Sequence, residues 1–73
     1  MKMSYNKLWK LLIDKDMTRS EMRKLAGISS SSLAKLGKGE NVTTGVLLRI
    51  CTALNCVLND IADVIPDEAE SRV

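Results

Sequence analysis

The chain contains no histidine and no phenylalanine, only two cysteines and one proline. Without histidine, the commonest general base and metal ligand is missing. The two cysteines, Cys51 and Cys56, make neither a disulfide framework nor a four-ligand zinc set. A spanning helix needs about 20 consecutive apolar residues, and every apolar run here is interrupted well before that length. The N-terminal stretch starts basic, but Lys10 and Asp14 break it and no small-residue cleavage site follows, so it does not read as a signal peptide. These absences point to a reduced, cytoplasmic protein with no cofactor, no metal, no membrane contact and no evident small-molecule ligand.

What is present fits one small domain. The 73 residues, 45% of them apolar, bury only about 60% of the surface they expose when unfolded. The apolar helix faces are therefore needed for a core, and function is sought on the polar faces. The net charge of +2 is unevenly distributed. Residues 1–39 carry nine Lys/Arg against Asp14, Asp16 and Glu21, whereas residues 40–73 carry Arg49 and Arg72 against six acidic side chains. A basic first half suits a polyanionic partner.

Hydrophobic spacing predicts helices throughout. Tyr5, Leu8, Trp9 and Leu12 fall at i, i+3, i+4 and i+7, with Ser4 as the expected cap, Leu11 and Ile13 widening the stripe, and Trp9 as a core anchor. Thr18-Arg19-Ser20-Glu21 reads as a capping box, with Met17 and Met22 placed as a staple and Met22, Leu25 and Ala26 as the inward face. Gly27 supplies a left-handed stop. Ser29 then caps a third helix through Leu36, ended by Gly37 or Gly39, with Leu33 and Leu36 inward and Ser30, Ser31, Ser32 and Lys35 outward. Two short helices about a tight glycine turn form a helix-turn-helix layout. A fourth helix follows Thr43 or Thr44 on Leu47, Ile50, Cys51 and Leu54. A short fifth is predicted from Leu58, Ile61, Ala62 and Ile65, with Asn55 as the turn between them. No stretch alternates with period two, so the predicted class is all-α, with a domain over residues 1–66 and a polar tail over 67–73.

Thr18-Arg19-Ser20-Glu21-Met22, Gly27-Ile28-Ser29-Ser30-Ser31-Ser32-Leu33-Ala34-Lys35-Leu36 and Gly39 resemble the helix-turn-helix of phage repressors and Cro proteins, the Xre family. Leu47 to Cys56 and Asn59-Asp60-Ile61 resemble that family's fourth and fifth helices, so the likeness covers residues 5–65. It implies a five-helix Cro-like domain of a DNA-binding transcriptional regulator, a homodimer on two half-sites of double-stranded DNA, with the third helix in the major groove. Carried over residue by residue, Ser30, Ser31, Ser32 and Lys35 would face base edges. Thr18, Arg19, Ser29, Lys38, Asn41, Thr43 and Thr44 would lie along the phosphates. Arg19 stands where the family commonly has Gln, Arg23 where it has Ala, and Gly37 where it often has Glu; this last exchange predicts an early end to the third helix. The serine-rich face lacks the Gln, Asn and Arg that make bidentate base contacts, which shifts specificity toward DNA shape.

The remaining residues leave alternatives open. Tyr5 reads as a core edge or a phosphate donor. Lys7 and Lys10 read as general electrostatic support, Cys51 as a core thiol, and Cys56 as a core thiol or a redox sensor. A Cys51–Cys56 bridge would have to close across a helix end and is not expected. Leu58, Val64 and Ile65 with the tail are the expected dimer contact. The rival function is a protein-interaction module of the antitoxin or adaptor type, using the acidic half. An enzyme is the weakest reading, because no nucleophile has a base in view.

Overall fold

Among the described residues, three of the four helices begin at a hydroxyl that accepts a backbone hydrogen bond from three residues on. The computed structural model describes residues 1–66; the tail assigned to 67–73 and its share of a dimer contact lie outside them. In chain order the elements are β1 (Lys2–Ser4), α1 (Asn6–Asp14), α2 (Arg19–Ala26), α3 (Ser30–Gly37), α4 (Thr44–Leu54), a single 3₁₀ turn (Leu58–Asp60) and β2 (Asp63–Ile65).

The Thr18–Glu21 capping box forms as expected: Glu21 N–H donates to Thr18 Oγ1 at 3.1 Å and Thr18 N–H to Glu21 Oε1 at 3.2 Å. Gly27, at φ +69°, then takes the left-handed position that ends α2. Thr43 caps α4, its hydroxyl accepting from Val46 N–H at 3.2 Å. Asn55, at φ +52°, closes the other end. α3 does not stop early: it runs through Gly37, and the left-handed residue after it is Gly39. The cap of α1 departs from expectation. Ser4 lies in β1, and Tyr5 occupies the cap position with no side-chain hydrogen bond.

The core gathers Tyr5, Leu8 and Leu12 of the first helical segment, Met22 and Ala26 of α2, Ile28 of the turn, Leu36 of α3 and Leu47, Ile50 and Leu54 of α4. Ile61 and Ala62 complete it from the last segment. Met17 is partly buried against this cluster, of which Met22 is a member. Two apolar residues assigned inward are exposed instead, Ile13 at the end of α1 and Leu25 on α2. So small a core closes without burying α1 all round.

The predicted fifth helix is absent. Only the 3₁₀ turn forms, with Val57 N–H donating to Asp60 Oδ2 at 3.1 Å, and the chain then extends as β2. Pro66 biases Ile65 toward extended geometry, and the β-branched Val64 and Ile65 favour a strand. β2 pairs antiparallel with β1, Met3 opposite Val64. Lys7 fastens this ribbon to α1, its ammonium donating to Asn59 O at 3.0 Å and lying 2.9 Å from Asp63 Oδ1. Lys7 is thus a structural tie and not free electrostatic support.

Tyr5 belongs to the core edge. It is 2% exposed, and its hydroxyl donates to Glu40 O at 3.0 Å, which anchors the loop leaving α3. Burial raises its phenol above the usual value, a backbone hydrogen bond from Val42 opposing. The phosphate-donor reading is therefore excluded, since the proton is already engaged inside the fold. Tyr5→Phe is expected to lose about 1 kcal/mol of stability, read as a lower urea midpoint with an unchanged slope.

Candidate nucleic-acid interface

Arg19 is the first residue of α2, exposed, with its guanidinium over the Trp9 ring at 3.8 Å from the centroid. A Cβ built on Gly37 would lie 3.4 Å from Arg19 Nη1, so the same side chain also borders the last turn of α3. Trp9, half-buried and packed against the core, is therefore both a packing residue and a platform that orients Arg19. The planar guanidinium suits that stacking, and its remaining N–H groups fit phosphate oxygens. With no side chain on Gly37, this corner stays open.

Ser29 caps α3: its Oγ accepts from Ser32 N–H at 3.1 Å. Its hydroxyl also lies 3.0 Å from Ser31 Oγ and donates to Ser32 Oγ at 3.0 Å. The consistent proton order is Ser31 to Ser29 to Ser32, which leaves the Ser32 hydroxyl as the outgoing donor. Ser30 and Ser31 are exposed and Ser32 is half-buried. Ser29, Ser31 and Ser32 thus form a linked rim around the helix start, with Ser30 exposed beside them, where backbone N–H groups and the helix dipole favour an anion. Lys35 is exposed further along α3, and Lys38 caps its C-terminus. Asn41, Thr43 and Thr44 are exposed on the loop and first turn that follow. Tyr5 holds this loop through Glu40.

The expected site residues therefore fall at four helix boundaries, the starts of α2, α3 and α4 and the end of α3, with Asn41 on the loop between α3 and α4. Arg49 is not among the expected site residues. A Cβ on Gly27 would meet its Nη1 at 3.4 Å, so an α4 guanidinium stands beside the α2–α3 turn. No local spacing signals that approach, which is made by packing of α2 on α4. Arg23, standing where the family prefers Ala, is half-buried, and α2 and α3 still cross in contact. Among the described residues, no cluster of three or more His, Cys, Asp or Glu side chains is placed to hold a metal ion. Among those residues, too, no helix is long and apolar enough to cross a membrane.

Residues 7–67 match the model of the Cro/C1-type helix-turn-helix DNA-binding domain. The chain belongs to that family. Its fold is also similar to the crystal structure of the transcriptional regulator VanUg, with 56% sequence identity, a TM-score of 0.87, and coverage of 90% of this chain and 88% of that one. No protein of curated function matches. Among the described residues the Cro/C1-type fold is built on four helices and a two-stranded ribbon, where five helices were expected.

Proposed function

We propose that this Cro/C1-type domain is a sequence-specific transcriptional regulator that inserts α3 into the major groove of double-stranded DNA. The observation that carries the reading is the exposed start of α3, rimmed by Ser29, Ser30, Ser31 and Ser32, with Lys35 beyond. Ser30, Ser31, Ser32 and Lys35 read base edges. Thr18, Arg19, Ser29, Lys38, Asn41, Thr43 and Thr44 fix register on phosphates and sugars. The work is stoichiometric binding, with no chemical step.

One such domain covers one half-site, so two copies act together about 34 Å apart. An apolar surface supports the pairing. Leu48, Val57 and Leu58 are 67%, 64% and 51% exposed and line one groove with Thr44, at the helix start that also bears Thr43. A copy seated there stands beside the DNA face. Leu58 is where the sequence reading puts such a contact; Val64 and Ile65 lie on β2, outside this groove.

Selection of bound duplexes from random DNA, followed by anisotropy titrations at several salt concentrations, tests the reading. If each protomer neutralises about 3–5 phosphates, the log–log salt slope is about −3 to −4.5 per protomer. Lys35→Ala is expected to weaken binding to the selected duplex by roughly 1–3 kcal/mol, with helicity unchanged. Salt-insensitive capture of another protein, with no retention of any duplex, would replace this reading with the interaction-module one.

A further inference from the structure

The end of α4 is closed by two backbone hydrogen bonds, Cys56 N–H to Cys51 O at 3.0 Å and Asn55 N–H to Thr52 O at 3.3 Å, with Asn55 left-handed between them. This pairing is a Schellman closure, and it sets the side chain of its first residue against that of its last. In such closures the two are frequently hydrocarbon. Here both are thiols, free and half-buried. The helix end, an obstacle to pairing them when only the spacing is considered, is the device that brings them together.

Both thiols also line the apolar groove, a space of about 380 Å³. Cys51 belongs to the part contributed by α4, with Leu47 and Leu48; Cys56 belongs to the segment after it, with Val57 and Leu58. The only covalent link between these two walls is the backbone through Asn55. We propose that Cys51 and Cys56 are a modification site: a dithiol that closes an intramolecular disulfide across the end of α4 when it meets a low-molecular-weight disulfide.

The exchange balances in two steps. One protein thiolate attacks a sulfur of the small disulfide, expels one small thiolate and leaves a mixed disulfide. The neighbouring protein thiolate then attacks the protein sulfur of that bond, forms Cys51–Cys56 and expels the second small thiolate. The small disulfide gains two electrons, and the two protons leave the protein thiols for the small ones. Burial raises the Cys56 thiol above its usual value; the Cys51 thiol and Asp60 add to the effect and Lys15 opposes it. At neutral pH the Cys56 thiol therefore rests uncharged, and its reaction runs through a minor thiolate fraction. Once closed, the bond ties the two walls together and fixes the groove's width. The consequence for pairing of two copies rests on the proposed dimer; the bond itself does not.

The test equilibrates the full, reduced chain with oxidised glutathione, blocks remaining thiols by alkylation and reads intact mass. The expected product is a monomer lighter by about 2 Da with no alkylated cysteine, whereas Cys51→Ser and Cys56→Ser each stop at a single glutathione adduct. Persistence of one or two glutathiones on the unsubstituted chain, covalent dimers, or a chain left reduced under conditions that modify both variants would each overturn the proposal. Sedimentation of the reduced and oxidised forms then reads the groove. A change of several-fold in the self-association constant is expected, and identical constants would sever the bond from the groove. Neither measurement needs DNA, so failure here is separable from failure of the DNA-binding reading.

Discussion

Leu36→Ala is expected to remove about 2–5 kcal/mol of stability, the usual range for deleting a buried leucine side chain to its Cβ. Leu36 is 1% exposed and is the one fully buried residue of α3. Leu33 only packs partly against the same cluster. A domain of this length is stable by roughly 4–11 kcal/mol, so the loss is a large share of the whole. Because the same side chain seats α3 against the core, the variant is also expected to bind DNA less tightly at temperatures where it remains folded. Urea unfolding followed by circular dichroism measures the first effect. A midpoint equal to that of the unsubstituted chain would mean that α3 is not held through Leu36.

Arg19→Ala is expected to weaken DNA binding by roughly 1.5–3 kcal/mol, the range for a hydrogen bond to a charged partner. The log–log salt slope should flatten by about 0.9, the share of one phosphate that is no longer neutralised. Two further substitutions separate charge from orientation. Arg19→Lys keeps the charge but gives up the planar fork and its stacking, so the slope should hold while affinity falls. Trp9→Leu leaves the arginine in place and removes the platform 3.8 Å beneath it. Its expected signature is weaker binding at an unchanged slope. If Arg19→Ala leaves both affinity and slope intact, Arg19 does not hold a phosphate.

The features legible in the residues are those whose causes lie within a few positions. The Thr18–Glu21 box, the Ser29 and Thr43 caps and the left-handed Gly27 and Asn55 each involve groups no more than five residues apart. The outward character of Ser30, Ser31 and Lys35 follows from the opposite placement of Leu36. The last segment misleads because Leu58, Ile61, Ala62 and Ile65 satisfy helical spacing, although only Ile61 and Ala62 are buried. Two strands of three residues are too short to display alternation, and what decides them is a partner at the far end of the chain. Lys7 escapes a local reading for the same reason, since Asn59 and Asp63 reach it only after folding. The Arg19–Trp9 stack and the place of Arg49 beside Gly27 are likewise products of packing. At the candidate interface, the residue types are readable in advance; the platform and the serine linkage that orient them are not.

The β1–β2 ribbon bears on the order in which the molecule assembles. Joining Met3 to Val64 encloses all four helices within a single ring of roughly 60 residues, whose closure entropy is on the order of 4 kcal/mol. Contacts of such long sequence separation slow folding relative to a helical bundle with local connections only. The helices are thus able to collapse on one another first, with the ribbon zipping afterwards as a clasp around a nucleus already formed.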